Sequence, residues 1–477
     1  MDTLEVLRGI LGEGEDLPQL RLERERQMSA DEPTSAPTVN LGELATPYRR
    51  LRPGPGRSGA EVASHQLARI DRAMVEVVAE RGYGRTTVRE IARVAGISTR
   101  AFYEHYSGKE QCFLHVHRLL IHRLLRRVEA VAGVASWDDR ISAAVDAIAE
   151  EWADDWKATR FLLIGPYGAG STALKQLRLV DRLLGEELKR LLGYSAKESE
   201  TAGLIVDGIA IGLVAAARSM MLNDRGSQWF DLKWELNYWV LSCAYPRSEA
   251  EALRAIQTRV KRDGVRSRFR SSSTTDPGML SSGEDLALLY SAVGKLAVTG
   301  CRESLTRRLI CAAAGVSRCS FDRHFSSLDD CLVAAAGQRF HLAVGCAQRA
   351  AELGTTLENR AFLGLEELCS QIACDPALAS LCFSDGVESK ECLVRRDRLL
   401  IGSIAELFEE VDLTSNPQEE VQIEASFGAV LGLLRNEVIA GRARRIHRIV
   451  PALTHLTLAP VIDGPMAGNA MSSPSQR

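Results

Sequence analysis

The sequence predicts an all-α fold. Apolar residues recur at helical spacing, as in Ile70, Ala73, Met74, Val77 and Val78, which form one stripe at a period of 3.6 residues. Nowhere do β-branched residues alternate over a run long enough to build a sheet. The chain has 477 residues, 45% of them hydrophobic and 25% charged, which is enough for about three globular domains of ordinary composition.

Charge is distributed unevenly along the chain. The whole sequence has a net charge of -3, but residues 49–129 contain 16 Lys and Arg against 8 Asp and Glu. A basic segment within an acidic chain is typical of a nucleic-acid contact. The first 25 residues contain acidic side chains and no apolar core, which argues against a secretory signal. The most apolar stretch, 202–217, contains Asp207 and is too short for a membrane span, so we expect a cytoplasmic protein with no membrane contact.

Two segments of unusual composition divide the chain. Residues 1–62 form a polar, proline-containing tail with a basic end, which is either a solvated tail or an arm that reaches DNA. Residues 247–283 are rich in Arg and Ser and are predicted to be a linker, and residues 461–477 a second tail. The 11 cysteines include no CxxC pair and no zinc spacing. We expect free thiols and no metal site.

The sequence repeats itself across the predicted linker. Residues 96–112 align with residues 315–331 at a constant offset of 219, and the Asp-Arg-Leu-Leu run at Asp181 recurs at Asp397. A GxxxG pair at 208 and 212 is echoed at 428 and 432. Matched places in the same order predict a tandem duplication. Each unit would contain a head (63–115 and 284–334) followed by a helical body (116–246 and 335–460).

Residues 87–109 have the pattern of a helix-turn-helix. Thr87 is a predicted N-cap, Gly96 permits a tight turn, and Ser98 is a predicted N-cap for a second helix that runs from Thr99 to about Tyr106. An exposed face of such a helix can read base edges in a major groove, and its ends can contact phosphates. The predicted base-reading residues are Thr99, Arg100 and Tyr103, and the predicted phosphate contacts are His105, Tyr106 and Lys109.

The first head resembles the TetR (tetracycline-repressor-like) family of bacterial transcriptional regulators. The resemblance is carried by Gly82-Tyr83, Thr86-Thr87-Val88, Ile91-Ala92, residues 95–98, residues 102–106 and Lys109-Glu110. It implies an all-helical protein with a three-helix DNA-binding head and a body that binds a small effector. It also implies dimerisation through two late helices, for which residues 202–222 and 234–244 are candidates.

The second head resembles the same family more weakly. It keeps the turn at residues 314–317, but Asp322 stands at the position of Tyr103, and Leu328 at that of Lys109. Between residues 284 and 339 there are 7 basic and 6 acidic residues, and fewer phosphate contacts mean weaker DNA binding. Two alternatives remain: a structural role, or DNA binding through Ser317, Arg318, Arg323 and His324.

An aromatic-rich stretch lies in the first body. Trp152, Trp156, Phe161 and Tyr167 are either core residues or one wall of a pocket for a small apolar effector. The glycine-rich run 165–171 lacks the GK[ST] ending of a phosphate loop, and no catalytic motif is found, so we predict no enzyme activity and no cofactor.

The sequence therefore predicts a sequence-specific DNA-binding regulator, a repressor, whose partner is a double-stranded operator. The two units are expected to pack as an intramolecular pseudo-dimer, with a homodimer of chains as the competing arrangement. The alternative function is a helical ligand-sensing or protein-interaction scaffold with weak or lost DNA binding.

Overall fold

Every regular element that the structure describes is helical, which confirms the predicted all-α class. The structure is a computed structural model and describes residues 59–133, 137–193, 200–222, 229–244, 283–299, 305–383, 390–408 and 417–462. The predictions for residues 1–58, for almost all of the linker 247–283 and for residues 463–477 lie outside these ranges.

The first half of the sequence begins with four helices that follow one another closely. They are α1 (Gly59–Arg81), α2 (Val88–Ala95), α3 (Thr99–Tyr103) and α4 (Lys109–Glu129). Five more follow: α5 (Trp137–Asp154), α6 (Trp156–Leu163), α7 (Ser171–Leu191), α8 (Glu200–Leu222) and α9 (Trp229–Ala244). α1 begins inside the range expected to be a tail, because no proline follows Pro55 to interrupt it.

The second half has the same order of long and short helices. Its first four are α10 (Gly283–Thr299), α11 (Arg307–Ala314), α12 (Arg318–His324) and α13 (Leu328–Ala351). They are followed by α14 (Leu357–Cys374), α15 (Pro376–Phe383), α16 (Lys390–Glu406), α17 (Pro417–Ile439) and α18 (Val450–Ile462). Short 3-10 turns lie at Gly165–Gly168 and at Ala443–Ile449, among others.

The two short helix pairs, α2–α3 and α11–α12, begin and turn in the same way. The Thr87 and Thr306 side chains accept hydrogen bonds from backbone N–H groups three residues later, which caps α2 and α11. Both helices end at a glycine in the left-handed region, Gly96 with φ 64° and Gly315 with φ 69°. The turn between the helices is therefore encoded by the same residue types in both halves.

A four-helix bundle of α8, α9, α17 and α18 joins the two halves of the sequence. α8 packs along α17, and α9 and α18 pack against both. The helices approach closely at glycines: a Cβ on Gly212 would lie 2.7 Å from the Ala425 carbonyl oxygen, and one on Gly428 2.4 Å from the Ala215 Cβ. The Trp239 indole N–H donates to the Ser426 hydroxyl at 2.8 Å, so a buried polar contact also crosses the bundle.

α8 is long and apolar enough to cross a membrane by length and composition alone, contrary to the expectation from the shorter stretch 202–217. In the structure, most of its apolar stretch is buried against α7, α17 and α18, as in the core helix of a globular protein.

Candidate DNA-binding site

α2 is held at its start by reciprocal hydrogen bonds. The Thr87 hydroxyl accepts from the Glu90 backbone N–H at 3.3 Å, and the Glu90 carboxylate accepts from the Thr87 N–H at 3.3 Å. Around this helix, the side chains of Arg85, Arg89 and Arg93 are exposed. The sequence analysis did not single out these three arginines; the only signal for them was the basic excess of the whole segment.

α3 exposes one face and buries the other. The Ser98 hydroxyl caps the helix by accepting from the Ala101 N–H at 3.1 Å. Phe102 is fully buried, whereas the Arg100 side chain is 92% exposed and Tyr103 58% exposed. Thr99 is exposed on the same short helix. A buried anchor of this kind fixes how the polar face is presented to a groove.

α3 ends at Tyr103, earlier than the predicted end near Tyr106. The backbone N–H of His105 donates to the Phe102 carbonyl, three residues earlier, so the α-helical pattern, in which the acceptor lies four residues earlier, is interrupted there. This turn directs Tyr106 into the head, where it is 5% exposed and its hydroxyl donates to the Asp71 carboxylate at 2.5 Å. The prediction that Tyr106 contacts a phosphate was therefore wrong.

Asp71 is the buried partner that the sequence analysis missed. Burial raises its pKa to about 7, and the hydrogen bond from Tyr106 only partly opposes this effect. The two residues are 35 positions apart, and no spacing rule connects them.

Two other predicted phosphate contacts in the head, His105 and Lys109, are partly buried. The His105 Nε2 lies 3.4 Å from the Gln66 side-chain oxygen.

Lys109 begins α4 at the edge of the head. Its ammonium donates to the Tyr83 carbonyl at 3.1 Å and lies 4.1 Å from the centre of the Tyr83 ring. Loss of solvent lowers the pKa of Lys109. A phosphate contact by Lys109 stays a prediction.

The second head presents different chemistry on the same scaffold. The Ser317 hydroxyl caps α12 by accepting from the Ser320 N–H at 3.1 Å, and Arg318 and Arg323 are exposed. Asp322, at the position of Tyr103, accepts from Arg307 at 2.7 Å. An ion pair thus replaces an aromatic ring. His324 is partly buried beside Phe325, and a DNA contact by any of these residues stays a prediction.

The four aromatic residues expected to form an effector pocket do not line one cavity. Trp152 is buried beside a very small cavity of about 10 Å³, and Phe161 is buried against Phe113. Trp156 is 49% exposed, and Tyr167 lines a different cavity. The chain turns at Asp155, which caps α6, and this turn separates the aromatic rings. The structure therefore does not bring these four side chains together as one wall, and an effector contact by any of them stays a prediction.

Part of the first head is similar to a family of bacterial regulators. Residues 70–116 match the family model described as bacterial regulatory proteins, tetR family. A curated relative, the HTH-type transcriptional activator FasR of Mycolicibacterium smegmatis, is 27% identical over 155 residues, which cover 32% of this chain and 71% of FasR.

Two solved structures are also similar over part of the chain. The fatty acid degradation regulator FadR from Bacillus halodurans has 20% identity and a TM-score of 0.33, covering 36% of this chain and 96% of FadR. FadR from Bacillus subtilis in complex with stearoyl-CoA has 17% identity and a TM-score of 0.31, covering 37% of this chain and 98% of that one.

Proposed function

We propose that this chain is a transcriptional regulator of the TetR type and that it binds a double-stranded DNA operator through α3, as the similarity of its first head to that family supports. The observation that carries the proposal is the pairing of a buried Phe102 with the exposed Arg100 and Tyr103 on one helix. Guanidinium and phenol groups on such a helix reach base edges in a major groove. The proposed DNA contacts of the first head are Thr87, Ser98, Thr99, Arg100, Tyr103, His105 and Lys109.

We also propose that the two halves are a tandem duplication packed as an intramolecular pseudo-dimer. The bundle of α8, α9, α17 and α18 supports this, because a symmetric regulator would form such an interface between two chains. Matching caps and left-handed glycines in the two heads support it further. In this arrangement, one chain carries two heads and needs no partner chain to reach two half-sites.

The proposed operator is asymmetric. The first head exposes Thr99 and Arg100, and the second exposes Arg318 and Cys319 at the corresponding positions. Side chains this different do not select the same bases. The second head, with a smaller excess of basic residues, would contribute the weaker half of the contact through Ser317, Arg318, Arg323 and His324.

The direction of regulation is proposed as repression, exerted in the cytoplasm. A reporter gene placed behind the selected operator tests this, because deletion of the regulator should raise expression. FasR is described as an activator. Lower expression after deletion would therefore overturn repression without touching the proposed DNA contact.

Site selection with the purified full chain and two variants tests the DNA contact. Arg100→Ala should change the preferred bases, whereas Lys109→Ala should weaken binding to all sequences and reduce the salt dependence by about one unit of slope. Arg182→Ala, at an exposed arginine of α7 far from the head in sequence, is the control and should leave affinity and preference unchanged. The absence of any enriched motif would favour the scaffold function, and unchanged binding in both head variants would overturn the role of α3.

A further inference from the structure

A cavity of about 90 Å³ lies between the two halves, where α7 and α8 face α16 and α17. Part of its wall is apolar and includes Leu177, Ile211, Ile401 and Leu431. The rest carries charged side chains contributed by both halves. Binding sites for small molecules commonly have this composition, with a mostly apolar surface and a few convergent polar groups at an interface between domains. The charged residues are Arg178, Asp181, Arg218, Asp397, Arg398 and Arg435.

The charged part of the cavity favours an anion. Four guanidinium groups face two carboxylates, and one of these carboxylates is already neutralised by ion pairs. Asp397 accepts a hydrogen bond from Arg435 at 2.8 Å and lies 3.7 Å from Arg218. Although burial alone would raise the pKa of Asp397, the guanidinium groups of Arg435, Arg396 and Arg218 lower it. Asp397 is therefore ionised at neutral pH. The four arginines of the cavity still outnumber its two aspartates, so its net charge is positive.

Two of these guanidinium groups have a donor for which the described residues supply no acceptor. The Nε atoms of Arg218 and Arg435 are buried and have no hydrogen-bond partner in the described part of the chain. Such donors are rare in native proteins, because each unmade hydrogen bond leaves a desolvation cost uncompensated. Arginine binds oxyanions through paired N–H groups, so an oxyanion near both residues would accept from these donors.

The volume limits the size of the ligand. A group the size of a water molecule needs roughly 10–15 Å³ of cavity volume. A cavity of about 90 Å³ therefore holds roughly six to nine non-hydrogen atoms. This is the size of a short-chain carboxylate, with its two oxygens at the arginines and its carbon chain against the apolar wall.

We propose that this cavity binds a small amphipathic carboxylate, with the carboxylate at Arg218 and Arg435 and the apolar tail against Ile211 and Leu431. The site belongs to neither body alone, since α8 supplies Arg218 and α17 supplies Arg435.

Tyr167 connects this cavity to the first head. Its hydroxyl donates to the Asp397 carboxylate at 3.3 Å and accepts from Arg218 at 2.5 Å. It lies in the turn Gly165–Gly168, whose first residue packs so closely against the head that a Cβ on Gly165 would lie 3.1 Å from the Phe113 ring. A ligand that draws Arg218 away from Tyr167 would therefore act on a turn that touches the head. This regulatory step rests on the proposed DNA-binding function, and it requires the ligand to prefer one arrangement of the heads.

Isothermal titration calorimetry of the purified full chain tests the site without DNA. The probes are hexanoate, the uncharged 1-hexanol and inorganic phosphate. We expect hexanoate to bind with one site per chain and both other probes to bind at least about tenfold more weakly, because only hexanoate offers the charge and the tail together. Equal binding of 1-hexanol would show that the arginines are not used. Binding of phosphate without hexanoate would overturn the apolar half of the proposal.

Two tryptophan variants on α16 locate the site. Ile401→Trp fills the cavity and should abolish hexanoate binding. Leu399→Trp makes a comparable change on the same helix at a side chain that is 44% exposed, and it should leave binding unchanged. Circular dichroism shows whether each variant is folded. Loss of binding in both variants, or in neither, would overturn the location.

Asp181 provides a variant that should improve binding. Burial raises its pKa to about 6, against the attraction of Arg218, Arg435 and Arg178. The other charged or titratable groups of the cavity are Tyr167, Asp397 and Arg398. Asp181→Asn removes a negative charge whose Oδ1 finds no hydrogen-bond partner among the residues that the structure describes, so it should tighten hexanoate binding about tenfold at neutral pH and above. Unchanged or weaker binding would overturn the electrostatic argument.

Titration of the operator complex separates the site from its regulatory effect. Hexanoate should change operator affinity in the wild type and in Leu399→Trp, but not in Ile401→Trp. If hexanoate binds but operator affinity does not change, the proposed coupling between the cavity and the heads is overturned, whereas the proposed binding site is supported. Hexanoate binding by a chain that selects no DNA sequence would overturn the proposed function and leave the site standing as well.

Discussion

The close approach of α8 and α17 makes a strong prediction about one glycine. In Gly212→Ala, the new Cβ would lie 2.2 Å from the Trp239 ring and 2.7 Å from the Ala425 carbonyl oxygen. The ring can tilt, but the carbonyl belongs to the backbone of α17 and moves only if the helix moves. On the same helix, a Cβ on Gly203 would meet only the end of the Lys189 side chain at 4.0 Å. Gly203→Ala is therefore a matched control.

The two substitutions should change the free energy of unfolding in opposite directions. An added carbon atom in a packed core lowers the free energy of unfolding by about 1–3 kcal/mol. We expect a clash with the backbone to fall in the upper half of that range, because the backbone cannot move aside easily. The higher helix propensity of alanine raises the free energy of unfolding by about 1 kcal/mol relative to glycine. Gly212→Ala should thus lower the free energy of unfolding by about 1–2 kcal/mol, whereas Gly203→Ala should raise it by about 0.5–1 kcal/mol.

Urea unfolding followed by circular dichroism measures the free energy of unfolding of both variants. The same measurement over a wide range of protein concentration tests whether the bundle of α8, α9, α17 and α18 forms within one chain or between two. A pseudo-dimer within one chain unfolds at the same urea concentration whatever the protein concentration, whereas an interface between two chains becomes more stable as concentration rises. Light scattering should report the mass of a single chain. A stabilised Gly212→Ala would refute the close approach of the helices, and a concentration-dependent midpoint with a two-chain mass would refute the pseudo-dimer.

Two further predictions concern the heads. Asp71→Asn should stabilise the protein above pH 7, because the buried carboxyl, with its pKa raised from 3.8 to about 7, must give up its proton there in the folded state. In the wild type, the stability contributed by this group falls as pH rises from about 4 to about 7, by about 1.4 kcal/mol for each unit of pKa difference, so thermal unfolding of the variant should lack this slope. The double variant Cys319→Arg and Asp322→Tyr copies Arg100 and Tyr103 of α3 onto the corresponding positions of α12 and should make the selected operator more symmetric. Cys374→Arg makes the same cysteine-to-arginine change at an exposed position in the second body, and its selected operator should be that of the wild type.

The fold class and the helix-turn-helix could be predicted because their signals are local. Thr87, Gly96 and Ser98 act within three or four residues of themselves, and all three cap or end helices as the sequence indicates. Tyr106 could not be placed correctly, because its orientation depends on Asp71 in another helix. The only guide from sequence was the length of α3, and it was overestimated.

The cavity between the halves was beyond sequence reasoning for the same physical reason. Tyr167 and Asp397 are separated by 230 positions, and only the packing of two bodies brings them together. The repeat of Asp-Arg-Leu-Leu was visible in the sequence, but it was interpreted only as a sign of duplication. Aromatic content near Tyr167 suggested a pocket, whereas four of the six charged residues of the cavity, Arg218, Asp397, Arg398 and Arg435, lie on helices far along the chain.

The two aspartates of that repeat show how a single chain can depart from symmetry. Asp181 and Asp397 line one cavity, but Asp397 is ion-paired with Arg435, whereas the Oδ1 of Asp181 has no hydrogen-bond partner within the described ranges. In a dimer of identical chains, both aspartates would have the same surroundings, because one sequence must serve both sides of the axis. In the proposed tandem arrangement, each side is encoded separately, so α8 can carry Arg218 while α17 carries Arg435 at a different position. The same freedom explains why one head keeps an exposed arginine and tyrosine while the other replaces them. We therefore expect the asymmetry of the operator and that of the cavity to have one physical origin, the covalent link between the halves.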